Sequence, residues 1–268
     1  MPKALKYVTF LNLLFILFVS ISGFIGGVAG DVVYYLAFVV PVALAYFLKK
    51  GADVAFSPPR MRISLANLGL VLPITAPLLA VIFLISWLTS LVLSAIGAEN
   101  STDLSGNIVT LILTHAVLTS ILEEALFRYV PIAFIAPHSK KHAVIFSALF
   151  FAFAHCNLYQ IPYAFAAGVA FAVIDIAADS IVPSLLLHFL NNLISIFWIR
   201  GAGDGTFAKA YVITLSALAA ISLIPIILLR RKYSKQLSKE MWAGARVQLS
   251  YEPLLFFATT LFVAILSL

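Results

Sequence analysis

The sequence predicts an all-α fold, a polytopic transmembrane helical bundle with eight or nine membrane helices. Three observations carry this. Of the 268 residues, 63% are hydrophobic and only 10% are charged, against about 45–50% and about 25% in an ordinary soluble domain. The apolar residues gather into runs, several of which reach the roughly 20 residues that cross a bilayer as a helix. The basic residues between the runs fall on one side if the runs alternate in direction.

In order, the apolar stretches are 8–29, 32–48, 64–97, 108–136, 142–156, 158–177, 181–199, 206–229 and 253–268. The first follows Lys3 and Lys6, and Val28-Ala29-Gly30 has the small residues of a cleavage site. Its apolar stretch is longer than the signal-peptide core of about 7–15 residues, so the reading is a retained helix. The third is overlong and carries Pro73 and Pro77, which predicts a tilt, a kink or an interfacial start. The fifth and the last are short, which leaves the count between eight and nine. No repeat, low-complexity tract or soluble linker interrupts the series, so the expectation is one integral membrane domain over residues 1–268.

Fourteen basic residues, from Lys3 and Lys6 through Arg60, Lys140 and Arg230 to Arg246, fall on one side of this scheme, and only Arg200 and Lys209 on the other. Positive loops stay cytoplasmic. The N-terminus is therefore expected inside and the loop 98–103 outside, where Asn100-Ser101-Thr102 is a glycosylation sequon. The net charge of +6 is accounted for by these loops, so it does not imply nucleic acid. The basic stretch 230–246 also suits anionic lipid headgroups. Cys156 is the only cysteine, which excludes an internal disulfide.

Glu123, Glu124 and Arg128 interrupt the fourth stretch, where an ionised side chain costs about 2.5–3.5 kcal/mol on insertion scales. Such residues are there for a site or for an ion cluster that joins helices. A helix turns about 100° per residue, so the two glutamates point apart. Arg128 is four residues after Glu124 and shares its face. The simplest division pairs Glu124 with Arg128 and leaves Glu123 free to act as a general base. His155 ends the fifth stretch and His188 lies in the seventh. Asn192 follows His188 by four residues and Asn191 by three, and spacing alone does not choose between them. A glutamate and a histidine can deprotonate a shared water, while a second histidine and an amide can donate to the oxyanion of an attacked carbonyl. Those are the parts of an amide hydrolase.

Glu123-Glu124-Ala125-Leu126-Phe127-Arg128 fits E-E-x-x-x-R, Phe151 to His155 fits F-x-x-x-H, and His188 to Asn192 fits H-x-x-x-N. In this order on separate spans they resemble the CAAX protease and bacteriocin-processing family of intramembrane endopeptidases, also called the ABI family. The resemblance covers the catalytic core at about 107–199. It implies Glu123 as base for the attacking water, Glu124 with Arg128, His155 beside the water, and His188 with Asn192 as the oxyanion site; here it selects Asn192 over Asn191. Many members have glycine after the arginine, where this chain has Tyr129, which puts the substrate class in question. Eukaryotic members trim the last three residues from prenylated CAAX proteins. The implied partners are membrane lipids and a membrane-associated protein or peptide, prenylated in the type II CAAX case. The implied location is the cell membrane of a prokaryote or the endoplasmic reticulum of a eukaryote.

The family is often labelled metalloprotease on motif grounds. Glu123, His155 and His188 would supply three ligands to a divalent ion such as zinc, with water as the fourth. The same residues suffice without metal, and no cofactor is required. The competing readings are a bacteriocin self-immunity or adaptor protein with little turnover, and a proton-coupled transporter using the same polar residues as a relay.

Depth poses a difficulty. From the inner face His188 is about 7 residues in and Glu123 and His155 about 14–15, roughly 20 Å along a helix. The sites meet if helices tilt or if the loop near Asp175 and Asp179 enters the bundle. Those acids then line the cavity mouth, or are solvated loop residues. Gly201-Ala202-Gly203-Asp204 matches an aspartyl-protease G-x-G-D but reads as a turn. His115 reads as a packing residue, and His138 and His142 as part of a cytoplasmic turn.

Overall fold

A computed structural model describes residues 2–51, 55–98, 106–201, 203–239 and 251–266. The sequon and the end of the basic stretch, from residue 240 to Arg246, lie outside the described residues. The described residues form nine helices and no β-strand: α1 Pro2–Ile25, α2 Gly27–Gly51, α3 Leu65–Ala95, α4 Ile108–Ile135, α5 Lys140–Ala154, α6 Ile161–Ala178, α7 Val182–Gly201, α8 Gly205–Lys239 and α9 Tyr251–Leu266. Each matches one apolar stretch of the sequence. Seven are long and apolar enough to cross a membrane. The exceptions are α5, with 15 residues, and α9, with 16. This chain is a multi-pass, all-α membrane protein.

Local chemistry sets the helix ends. Asn107 caps α4 by accepting from Val109 N at 2.8 Å. Ser139 caps α5. Asp204 Oδ1 accepts from Thr206 N at 2.8 Å and so caps α8, the role that suits Asp at a helix start. Asp204 of the Gly201–Asp204 match is therefore a helix cap. Gly26 and Gly27 have φ of +65° and +56°, a region glycine enters without a Cβ penalty, and they reverse the chain between α1 and α2. α3 runs through both prolines as a single helix.

α1 and α2 pack as a pair, as do α5 and α6, and α3 lies against α6, α7 and α8. The largest core cluster joins α1, α2, α4, α5 and α9 through aromatic rings. Phe127 of α4 meets Phe15 edge-on at 5.2 Å, and Phe150 of α5 meets Phe256 of α9 at 5.1 Å. α5 and α6 approach most closely where Ala148 faces Gly168, at which an added Cβ would lie 2.9 Å from Ala148 Cα. Small residues at helix contacts are how membrane helices gain packing contact without a hydrophobic drive between them.

The turn between α6 and α7 is packed against protein. Ser180 and Ser184 are fully buried. The preceding strap of chain covers them: Ile181 N donates to Arg60 O at 3.0 Å, Ser180 Oγ to Arg62 O at 3.0 Å, and Arg62 N to Ser180 Oγ at 3.3 Å. Irregular backbone at membrane depth is tolerated only when protein satisfies it in this way. The start of α7 is thus covered by the strap that carries Arg60 and Arg62. The expectation of two loop acids needs correction. Asp175 belongs to α6 and has no exposed surface, because its Oδ1 accepts from Ser184 N at 3.1 Å at the head of α7. Asp179 does lie at the surface, 3.3 Å from Arg60.

Candidate active site

α4 is not a uniform α-helix. Residues Ile112–Leu118 and Ala125–Tyr129 are π-helical, and π segments inside α-helices often occur at functional sites. In the first, Thr119 N–H bonds Thr114 O rather than His115 O. His115 O accepts instead from Asn192 Nδ2 of α7, at 3.0 Å. The second segment begins directly after Glu124.

Both glutamates reach His188. Glu124 Oε1 lies 2.8 Å from Nδ1, and Glu123 Oε2 lies 3.4 Å from Nε2. Spacing had set the two acids pointing apart with Glu123 free. They do diverge, but an imidazole carries nitrogens on two edges, and each acid takes one. Glu124 is buried, whereas the Glu123 side chain retains 13% exposure, so Glu123 is the acid at the cavity.

Arg128 is completely buried. Its Nε is 3.6 Å from Glu124 Oε2, the pairing expected at i, i+4. Nη1 donates to Phe127 O at 3.0 Å, to Ser147 Oγ at 3.2 Å and to Ser147 O at 3.3 Å. The guanidinium stacks 4.3 Å from the Phe151 ring centroid, a cation–π contact. Phe151 also meets His155 edge-on at 5.0 Å and His188 at 5.4 Å. One aromatic ring thus touches three polar groups of the cluster.

A cavity of about 400 Å³ brings together Glu123, His155 and Asn192 with His115, Thr119 and Tyr163. His155 Nδ1 is 2.8 Å from Phe151 O. A carbonyl only accepts, so Nδ1 carries the proton and Nε2 of the neutral ring is left to accept. Asn192 Nδ2 is shared between His115 O and Ser120 Oγ, the latter at 3.4 Å. Asn191 Nδ2 donates to Asn192 Oδ1 at 3.2 Å, and Asn191 faces a neighbouring cavity of about 490 Å³ that also borders Gln160, Tyr163 and Ser195. Four of the six expected residues, Glu123, Glu124, Arg128 and His188, form one contact cluster. His155 and Asn192 meet it across the first cavity.

Sequence reasoning read His115 as a packing residue and passed over Thr119. Their signal was present: His115, Thr119, Glu123 and Phe127 recur every four residues, and all four line the cavity. Tyr34 and Tyr163 carried none, since bundle packing alone brings α2 and α6 to this wall.

Residues 105–194 match the family model described as type II CAAX prenyl endopeptidase Rce1-like. This segment is therefore similar to the CAAX protease family. The match spans about a third of the chain and contains all six motif residues. No curated protein and no solved structure matches the chain. CAAX proteases are intramembrane endopeptidases that act on membrane-associated proteins, a setting that the membrane helices of this chain provide. Among the described residues no group of three His, Cys, Asp or Glu side chains is arranged to hold a metal ion.

Proposed function

We propose that the chain hydrolyses a peptide bond near the C-terminus of a prenylated or otherwise membrane-bound protein, using a water activated by Glu123. The observation that carries this reading is the meeting of Glu123, His155 and Asn192 on one cavity, with His188 held between Glu123 and Glu124. Glu123 takes a proton from the water as its oxygen attacks the scissile carbonyl. His155, tethered through Nδ1 to Phe151 O, accepts a hydrogen bond from that water at Nε2 and aims it.

The attacked carbonyl becomes an oxyanion. His188 N–H and Asn192 N–H are its donors. Protonation of Glu123 relaxes its hold on His188 Nε2–H, so that donor is released as the negative charge develops. Asn192 exchanges one of its two acceptors, His115 O or Ser120 Oγ, for the oxyanion. Collapse breaks the C–N bond, Glu123 returns its proton to the leaving amine, and the new carboxylic acid gives up its remaining proton to that amine, so the products are a carboxylate and an ammonium. Glu124 and Arg128 stay out of the chemistry and hold His188 in place.

Reconstitution into liposomes with a fluorescent prenylated CAAX peptide tests the substrate class. The reading expects release of the C-terminal tripeptide and slower release from the same peptide without its prenyl group. Cleavage indifferent to the prenyl group would remove that substrate class, and no cleavage of either peptide would remove the activity.

A further inference from the structure

Asp175 is a buried acid outside the motifs and outside the walls of both cavities. It has no exposed surface, and neither do Arg128 and Ser184. Its Oδ1 is satisfied by Ser184 N, but its Oδ2 makes no hydrogen bond. Three more buried atoms share that condition nearby: Glu124 Oε2, Arg128 Nε and Arg128 Nη2. Glu124 Oε2 is 3.6 Å from Arg128 Nε, beyond hydrogen-bond length. The Asp175 carboxylate is in electrostatic reach of both residues, and the Ser184 hydroxyl lies beside the Glu124 and Asp175 carboxylates alike.

Unpaired polar atoms in a dry interior cost about 1–3 kcal/mol each, and more when charged. Here Asp175 Oδ2 and Arg128 Nη2 have no hydrogen-bond partner, and Glu124 Oε2 and Arg128 Nε have only their 3.6 Å ion pair, a set of acceptors and donors that a bridging water can serve. Buried waters make about three hydrogen bonds to groups otherwise unsatisfied. We propose that Asp175, Glu124 and Arg128 enclose a buried water, and that Asp175 is thereby a positioning residue for His188.

The path from Asp175 to His188 is short. Asp175 Oδ1 fixes the head of α7 at Ser184, and His188 follows one helical turn later on the same face. Through the water, Asp175 restrains Glu124 Oε2, while Glu124 Oε1 holds His188 Nδ1. Phe171, four residues before Asp175, closes the layer with its ring 5.5 Å from His188 and 5.6 Å from Arg128. The Asp175 side chain touches neither catalytic cavity, so its effect on turnover passes through His188.

The test has two arms. The first is a high-resolution experimental structure of the full chain in lipid. It should contain solvent density within hydrogen-bond distance of Asp175 Oδ2 and Glu124 Oε2; a dry site with the four atoms still unpaired, or direct pairing among them, would overturn the water. The second arm rests on the hydrolase reading and measures cleavage by Asp175→Asn and Asp175→Val. Asn keeps an acceptor for Ser184 N and a second polar atom for the water, so kcat should stay within about threefold of wild type. Val removes both, and kcat should fall about tenfold or more, as for outer-layer partners that orient a functional group, with KM little changed. A folded Val variant with wild-type kcat, or an Asn variant as impaired as Val, would overturn the positioning role. The density arm decides the water site if Asp175→Val does not fold. If the wild type cleaves nothing, the hydrolase reading fails and the first arm still stands.

Discussion

Glu124 Oε1 lies 2.8 Å from His188 Nδ1, a contact between residues 64 positions apart in the chain. It ties α4 to α7 beside Glu123, the acid at the cavity. Arg128, on the next turn of α4, faces the other oxygen of the same carboxylate. Both side chains are shut off from bulk solvent.

The first prediction concerns that cluster. Arg128→Ala leaves Glu124 without its cation and should cost about 3–5 kcal/mol, the usual penalty for breaking a buried pair. Glu124→Ala should be destabilising for the same reason. The double variant should recover part of what Arg128→Ala loses, though not all, because Nη1 also holds Phe127 O and Ser147. Thermal unfolding in detergent measures this; strictly additive losses would mean that the pair contributes nothing jointly.

Much of this site was legible in the sequence because intramembrane charge is costly and therefore rare. Glu123, Glu124 and Arg128 stood out in an apolar run, and i, i+4 spacing gave the Glu124–Arg128 pair. The grouping of His188 with both acids was not legible. It depends on how the α6–α7 turn is held by the strap of Arg60 and Arg62, a long-range contact that no local pattern announces. Asp175 was misjudged for the same reason. Its partner, Ser184 N, is a backbone group, and sequence does not reveal where a backbone donor points. The nine apolar stretches gave the helices themselves, while α5 and α9 stayed ambiguous as spans because they are short.

A second prediction separates the two asparagines. Asn192→Ala should lower kcat about 10²–10³-fold, the effect of deleting one oxyanion donor, with little change in substrate affinity. Asn191→Ala should be milder: it removes one hydrogen bond to Asn192 Oδ1 and leaves the amide held by His115 O and Ser120. His188→Ala should resemble Asn192→Ala in kcat and should also destabilise the fold, since it strips Glu124 of a partner. Single-turnover cleavage with parallel melting curves distinguishes them. A severe Asn191 defect beside an active Asn192 variant would put the other face of α7 at the reacting bond.

The third prediction tests the scaffold. A Cβ at Gly168 would sit 2.9 Å from Ala148 Cα and 3.3 Å from Phe151 Cδ1. Gly168→Ala must therefore separate α5 from α6, at a cost of about 1–3 kcal/mol for overpacking. Because Phe151 stacks on Arg128 and touches both histidines, activity should fall beyond the loss of folded protein. Melting temperature and activity per folded molecule check this; an unchanged melting temperature would show that the helices are not in close contact there.

The measurement that bears most directly on the account is single-turnover cleavage of a verified membrane-bound substrate by Glu123→Gln in liposomes. The variant keeps the shape of the side chain and a hydrogen-bonding group toward His188 Nε2, but it cannot take a proton from water. The account predicts a rate lowered by about 10²–10⁴-fold or more, with expression and melting temperature close to wild type. Cleavage by Glu123→Gln at the wild-type rate would contradict it.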